Sequence, residues 1–228
     1  MKLIVAYDGA GFSGWQIQAR GDTIQHRLEA AFFQVTGEHI RVHGAGRTDA
    51  CVHALGQCAH VDLPPTRLTP AVLVSALNAS LPPRVRVLRA SFVAQTFHAR
   101  FKARGKVYRY RIATTPVFSP FEIGRAWHVT GPLDDKALRA AARAFVGKHN
   151  FAGFAANRGH PVESTIRTIQ RVRVQRSGEI TTIEFDGDGF LYKMVRLMAG
   201  AIIRAALGKT TVTEIRARLA DGAPAEPR

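Results

Sequence analysis

The stretch that organises this sequence is Gly44-Ala45-Gly46-Arg47-Thr48-Asp49-Ala50-Cys51-Val52-His53-Ala54-Leu55-Gly56-Gln57. Its glycines allow a tight backbone turn, and the residues after the turn have the composition of a strand. Asp49 is an acid set among cations, and a carboxylate in such surroundings stays in its charged form. An ionised, positioned carboxylate can act as a nucleophile. Taken alone, the motif is more typical of a surface turn with an Arg–Asp pair.

The charge of the whole chain supports a functional interpretation of this motif. The 228 residues include 32 Lys and Arg but only 17 Asp and Glu, which gives a net charge of +15. From Leu63 to Phe121 there is no acidic residue, although this span carries ten cations. A solvated protein surface usually mixes both signs of charge, so the pattern favours a surface that follows phosphates. The expected partner is a nucleic acid.

Composition excludes several other classes of protein. With 46% apolar residues the chain can form a substantial core, in one domain or two. Two cysteines are too few for a disulfide framework, which indicates a reducing compartment and a cytoplasmic protein. The N-terminus reaches a charge at Asp8, too early for a signal peptide. No run approaches 18 uncharged apolar residues, so we expect no membrane span.

The hydrophobic periodicity predicts an α+β protein. Residues 1–100 are expected to form an N-terminal half that carries the Asp49 loop, and residues 101–228 a C-terminal half, with the boundary near 100–105. Each half has the order of a split βαβ unit, that is, a ferredoxin-like or RRM-like βαββαβ half, although the second half lacks its last strand. The predicted strands are 2–7, 39–43, 55–62, 84–92, 106–112 and a hairpin around 171–185. The predicted helices are 23–37, 69–78, 132–145, 190–207 and 213–219.

Two groups outside the Asp49 motif have both a functional and a structural interpretation. Tyr108 and Tyr110 alternate with arginines, which is typical of a platform for an unstacked base but also of a pair of core tyrosines. Arg196 shares a stripe of the last long helix with Lys193 and Arg204. That stripe is either the solvent-exposed face of an amphipathic helix or the place where Arg196 faces a carboxylate across the two halves.

A metal site is the competing interpretation of the central motif. Cys51, His53, Cys58 and His60 lie within ten residues, with His43 nearby, and such side chains can bind zinc. Their spacing matches no structural zinc pattern. The segment 186–189, Asp-Gly-Asp-Gly, lacks the further ligands of a calcium loop and is expected to be a turn. We therefore predict no metal.

The motif Gly46-Arg47-Thr48-Asp49-Ala50-Cys51-Val52-His53-Ala54 resembles the signature of the TruA family of tRNA pseudouridine synthases. Other segments resemble the same family in the same order, and together they cover nearly the whole chain. These segments are Tyr7-Asp8-Gly9 with Gly14-Trp15-Gln16, Thr23-Ile24-Gln25 with Leu28-Glu29, Asn78 with Leu81-Pro82, Phe97-His98-Ala99-Arg100, Tyr108-Arg109-Tyr110, Arg167-Thr168-Ile169, and Gly189-Phe190-Leu191 with Met194-Val195-Arg196.

This resemblance implies a fold, an activity and site residues. The two halves would join their sheets into one large, mainly antiparallel sheet flanked by helices. The protein would be a homodimer that isomerises uridine at positions 38, 39 and 40 of the tRNA anticodon stem-loop without a cofactor. Asp49 matches the catalytic aspartate and Tyr108 the tyrosine that stacks on the target base. Arg47 matches the residue that replaces the flipped base, and Arg196 resembles the arginine that pairs with the catalytic carboxylate.

Two departures from the family pattern keep other functions open. The family usually has glycine where Cys51 stands, which affects the geometry of the loop or its fit to RNA. After Pro224 the family continues into a strand that completes the second half, so we expect an unpaired sheet edge here. A non-catalytic tRNA-binding or RNA-chaperone protein is therefore the alternative, and a zinc-dependent nucleic-acid module is a third hypothesis.

Overall fold

The computed structural model describes residues 1–156 and 163–222, and the chain divides into two compact units, Met1–Ala103 and Arg104–Arg228. The described residues contain five α-helices and two sheets, so the predicted α+β class is confirmed. The first unit consists of β1 (Lys2–Tyr7), α1 (Ile24–Thr36), β2 (His43–Gly44), β3 (Ala54–His60), α2 (Pro70–Ser80) and β4 (Val85–Ser91). The second unit consists of β5 (Lys106–Ala113), β6 (Trp127–His128), α3 (Asp135–Arg143), β7 (Gly147–Asn150), β8 (Ile166–Ser177), β9 (Ile180–Gly187), α4 (Met194–Ala206) and α5 (Val212–Asp221).

The sheet of the first unit has the strand order β2-β3-β1-β4, and all its pairings are antiparallel. Alternate residues of β1 are buried, which turns Leu3, Val5 and Tyr7 towards the helices. Helix α1 begins after an N-cap at Thr23, whose hydroxyl accepts the His26 N–H, and ends at Gly37 in the left-handed conformation. Its buried face includes Leu28 and Phe32, as the periodicity predicts.

The sheet of the second unit has the strand order β6-β5-β9-β8-β7. Among the described strands of this unit, only β6 runs parallel to its neighbour, where it pairs with Ile112 and Ala113 of β5. Alternate residues of β9 enter the core, where Ile183 and Phe185 pack beside α3 and α4. The opposite face of β9 is polar and carries Glu184, so this sheet has one apolar and one polar face.

Several element boundaries differ from the sequence prediction. The strand expected over residues 39–43 is the two-residue β2. Helix α3 begins at Asp135 rather than at Pro132, because the Asp134 carboxylate caps the Ala137 N–H. Helix α4 begins at Met194 rather than at Phe190, because Lys193 lies in the left-handed region at φ 56°. The sequence pattern did not predict β6 and β7, because these strands are too short for a periodic signal.

The single sheet implied by the family resemblance remains a prediction, since the described strands belong to one hydrogen-bonded sheet in each unit. The expected absence of a last strand concerns residues after Pro224, which lie outside the described part of the chain. None of the described helices has the length and apolar character needed to cross a bilayer.

Candidate active site

The Arg47–Asp49 turn joins β2 to β3 and presents both side chains at the surface. Hydrogen bonds from the backbone and from a side-chain amide hold the residues that lead into this turn. The Ala45 N–H donates to the Cys58 carbonyl at 2.8 Å, and the Gln57 amide donates to the Gly46 carbonyl at 2.5 Å. On the other side of the acid, the Val52 N–H donates to the Asp49 carbonyl at 3.2 Å. The exposed carboxylate of Asp49 therefore stands on a turn whose backbone is tied at both ends.

The glycine-rich loop after β1 packs directly on this turn. The Trp15 N–H donates to the Thr48 carbonyl at 3.0 Å, and the Cys51 N–H donates to the Phe12 carbonyl at 3.2 Å. Phe12 and Trp15 are buried, so the loop contributes core residues as well as hydrogen bonds. The hydroxyls of Tyr7 and Thr48 lie 2.9 Å apart. These contacts hold the peptide units on both sides of Asp49 in one position.

Two glycines of this loop have no room for a side chain. A β-carbon on Gly9 would overlap the Val52 carbonyl group. A β-carbon on Gly14 would lie 2.6 Å from the Thr48 carbonyl oxygen, and the φ angle of Gly14 is +97°. Close approach of two backbones explains why the sequence has glycine at these positions. The sequence alone shows that the loop is glycine-rich but not what it packs against.

Asp8 and His53 connect the same two segments through a side-chain contact. His53 Nδ1 lies 2.9 Å from Asp8 Oδ1 and 3.2 Å from the Gly9 nitrogen. A protonated Nδ1 donates to the carboxylate, whereas an unprotonated Nδ1 accepts the Gly9 N–H, so His53 has a partner in either state. Each side chain is 31% exposed. Both residues belong to motifs visible in the sequence, but neither was assigned a role there, because residues 45 positions apart show no local signal.

Cys51 has the left-handed backbone that its position in the turn requires. Its φ angle is +62°, which is uncommon for a residue with a β-carbon. The side chain is exposed, so nothing in the packing selects cysteine there. The loop therefore keeps the geometry expected of glycine, and Cys51 bears the conformational cost.

We predict that Cys51→Gly stabilises the protein. Glycine adopts positive φ without the β-carbon penalty of about 1–2 kcal/mol, although greater freedom in the unfolded chain offsets part of that gain. The expected net increase in the free energy of unfolding is about 0.5–1 kcal/mol, measured by urea titration. Cys58→Ala serves as the control for loss of a thiol. A Cys51→Gly variant less stable than the wild type would show that the thiol makes a stabilising contact.

Tyr108 and Arg196 lie in the second unit, on β5 and α4 respectively. The Tyr108 ring is half-buried and meets the Phe190 ring edge to face, with 5.1 Å between centroids. Tyr110 lies two residues further on the same face, where burial raises the pKa of its phenol and the charge of Arg196 opposes that rise. Arg196 itself is exposed. Both tyrosines thus pack against the core, as the structural interpretation expected, while Tyr108 keeps part of its ring accessible.

Three histidines of the first unit, His43, His60 and His98, form a cluster of aromatic rings. The His60 ring lies 4.9 Å from that of His43 and 4.5 Å from that of His98. His60 Nδ1 accepts the Ala99 N–H at 3.2 Å, which commits one ring nitrogen to the backbone. Burial, followed by the neighbouring imidazoles, lowers the pKa of His60. Among residues 1–156 and 163–222, no three His, Cys, Asp or Glu side chains are grouped so as to hold a metal ion.

Comparison with known proteins places this sequence in a family. The sequence pattern described as "tRNA pseudouridine synthase" matches residues 3–102 and 141–228, which is more than half of the chain and includes the whole Asp49 turn. The chain belongs to the tRNA pseudouridine synthase family. Its resemblance to the TruA group is confirmed by curated relatives that are named tRNA pseudouridine synthase A.

Three of these synthases show how far the similarity extends. The Akkermansia muciniphila protein is 47% identical over 221 residues, which cover 94% of this chain and 83% of the relative. The Methylacidiphilum infernorum protein is 45% identical over 215 residues, with 94% and 84% covered. The Rhodopseudomonas palustris protein is 43% identical over 221 residues, with 96% and 88% covered. Synthases of this family are isomerases, and the family pattern includes the Asp49 turn of this chain.

Proposed function

We propose that this protein isomerises uridine to pseudouridine at positions 38, 39 and 40 of the tRNA anticodon stem-loop, with Asp49 as the nucleophile. The observation that carries the proposal is the exposed Asp49 carboxylate beside Arg47, on a turn held by backbone hydrogen bonds from the glycine-rich loop. Family membership supports the reaction class. The resemblance supports the anticodon positions, a homodimer in the cytoplasm, and the joining of the two sheets.

The reaction leaves the elemental composition of the nucleoside unchanged and needs no oxidant or reductant. The bond from C1′ to N1 breaks, the uracil turns, and a new bond joins C5 to C1′. The proton on C5 is lost to solvent, and N1 gains a proton. Attack of the Asp49 carboxylate on C1′ or on C6 of the base satisfies this balance, because either route forms a covalent adduct that later expels the carboxylate.

The base has to leave the helical stack before a carboxylate can reach it. Flipping costs roughly a few kcal/mol, and Arg47 offsets part of that cost by filling the gap and contacting phosphate. Tyr108 offers the accessible part of its ring for stacking on the flipped base. Arg196 is proposed as the cation that pairs with the catalytic carboxylate.

Tritium release tests the proposed reaction. Uridine and pseudouridine have the same mass, but the C5 proton leaves during the reaction, so tRNA labelled with tritium at C5 of uridine reports each turnover. We expect stoichiometric release into water for the uridines at positions 38–40. A protein that binds this tRNA but releases no tritium would be the non-catalytic tRNA-binding protein of the alternative hypothesis.

The cationic surface leads to a second prediction under this proposal. Most cations of the acid-free span are exposed, including Arg100 and Lys102. The acids that pair within this region come from outside the span, since Glu184 contacts Arg109 at 2.6 Å and Glu122 contacts Arg111 at 2.9 Å. Exposed cations such as Arg100 and Lys102, which have no such ion pair among the described residues, are therefore the ones expected to contact phosphate.

The Arg100→Gln/Lys102→Gln double variant is expected to bind tRNA about tenfold more weakly at moderate salt. The slope of log K against log[salt] should become shallower by roughly one to two, because each lost phosphate contact releases about 0.7–0.9 fewer ions. Filter binding over a salt series measures both quantities. Arg27→Gln is the matched control, since Arg27 is held by Asp22 at 2.7 Å. An unchanged slope in the double variant would contradict a phosphate-binding role for this surface.

A further inference from the structure

Arg47 is connected to helix α1 by a chain of side-chain hydrogen bonds. Arg47 Nε donates to Gln16 Oε1 at 3.1 Å, and Gln16 Nε2 donates to Gln25 Oε1 at 2.7 Å. Gln25 Nε2 in turn donates to Glu29 Oε1 at 2.9 Å. Gln25 is only 3% exposed, although it lies in the first turn of α1. A buried glutamine amide has to satisfy its hydrogen bonds within the protein, so these contacts of Gln25 are part of the folded structure.

The carboxylate of Glu29, at the end of this series of hydrogen bonds, determines the orientation of each glutamine amide. The Glu29 carboxylate can only accept hydrogen bonds. Its Oε1, which accepts from Gln25 Nε2, also accepts the Val42 N–H at 3.0 Å. Gln25 Nε2 faces that carboxylate and the Val42 carbonyl at 3.1 Å, while Gln25 Oε1 faces the Ile17 N–H at 3.1 Å. A flipped Gln25 would place its oxygen against two acceptors and its NH₂ against a donor. One orientation of Gln25 therefore satisfies all its partners.

The orientation of Gln25 determines that of Gln16. Gln25 offers an oxygen, so Gln16 has to present its NH₂ to Gln25 and its own oxygen to the other side. That oxygen meets Arg47, whose Nε–H is always a donor. A reversed Gln16 would place two oxygens together and an NH₂ against the guanidinium. The acceptor beside Arg47 is thus set by the Glu29 carboxylate at the other end of the hydrogen-bond chain.

We propose that Gln16 is a positioning residue for Arg47 and that Gln25 and Glu29 hold Gln16 in the working orientation. This inference rests on the proposed function, in which Arg47 occupies the gap left by the flipped base. Arg47 has a long, exposed side chain that samples many rotamers in water. An acceptor in a fixed place reduces that freedom before RNA binds, which increases the fraction of protein ready for the flipped complex.

The test is a double-mutant cycle between Gln16 and Arg47. Gln16→Met has nearly the same length but offers no strong acceptor to Arg47, and Gln25 Oε1 keeps the Ile17 N–H as a donor. We expect Gln16→Met to lower kcat/KM for tritium release roughly tenfold and Arg47→Met to lower it further. Adding Gln16→Met to Arg47→Met should change nothing more, because Gln16 acts through Arg47. Gln18→Met is the control, since Gln18 is exposed and donates only to the Ser13 carbonyl among the described contacts.

A spectroscopic signal measures the position of Arg47 without RNA. The Nε–H of Arg47, assigned with Arg47→Lys, is expected to exchange slowly with water in the wild type and in Gln18→Met but quickly in Gln16→Met. Gln25→Glu sets two carboxylates together and an oxygen against the Val42 carbonyl, so it should lose the slow signal.

The outcomes separate this inference from the proposed function. Equal rates for Gln16→Met and Gln18→Met, additive losses in the cycle, or an Arg47 signal that Gln16→Met leaves unchanged would each overturn the positioning role while wild-type turnover stands. A wild-type protein that releases no tritium would overturn the proposed function, and with it any role of Gln16 in the reaction.

Discussion

The Asp49→Asn variant is expected to lose tritium release from C5-labelled tRNA by at least about a thousandfold while its affinity for the same tRNA stays within about twofold. The amide has almost the same size and shape as the carboxylate, but it is not a nucleophile at neutral pH. Asp49 is exposed, so the substitution removes no core packing. The turn around it is held by backbone groups of Thr48, Cys51 and Val52, which the substitution leaves in place.

The matched control for this variant is Asp22→Asn. Asp22 is another acid of the first unit, and its contact with Arg27 at 2.7 Å is a surface ion pair of the kind that contributes about 0–1 kcal/mol. We expect Asp22→Asn to turn over and to bind tRNA like the wild type. Loss of binding in Asp49→Asn, with activity lost in proportion, would instead indicate that Asp49 helps to hold RNA and is not the nucleophile.

Gly9→Ala is expected to destabilise the protein strongly. The new β-carbon would overlap the Val52 carbonyl group, which belongs to the backbone and cannot rotate away. The glycine-rich loop and the Asp49 turn then have to separate, at a cost of about 3 kcal/mol. That cost corresponds to a decrease in Tm of roughly 8 °C. Differential scanning calorimetry measures the shift.

The same substitution is expected to impair activity at temperatures where the protein is still folded. Separation of the two segments breaks the hydrogen bond from Cys51 to Phe12 and displaces Asp49, and a shift of about 1 Å at a reacting group costs about a hundredfold in rate. Gly56→Ala is the control, because a β-carbon there would lie 3.6 Å from Ile4, an ordinary contact. A Gly9→Ala protein with the Tm and kcat of the wild type would show that the loop tolerates separation from the turn.

The sequence predicted most of the elements because their signals are local. Helix α1 has its cap at Thr23, its stop at Gly37 and one apolar face, all of which lie within 15 consecutive residues. Strand β9 alternates partly exposed and buried positions along its whole length, and from Ile183 to Asp186 apolar and polar residues alternate with them. By contrast, β2 and β6 are two residues long and form because a neighbouring strand offers partners, so no periodicity marks them.

The candidate nucleophile and Arg47 could be named from the sequence, but the residues that support them could not. The contact between Asp8 and His53 and the chain from Arg47 through Gln16 and Gln25 both depend on the fold of the first unit. One signal was present: Gln25 occupies a buried position on a helix whose neighbouring inward positions are apolar. A polar residue on an apolar face indicates a hydrogen-bond partner in the core.

Mapping pseudouridine in tRNA tests the central claim most directly. Transcribed tRNA that carries uridine at positions 38, 39 and 40 is incubated with the wild-type protein or with Asp49→Asn, and every uridine is then examined for conversion. We predict pseudouridine at these three positions with the wild type and none with Asp49→Asn. Conversion at the same positions by Asp49→Asn, or no conversion by the wild type, would contradict the assignment of Asp49 as the group that carries out the isomerisation.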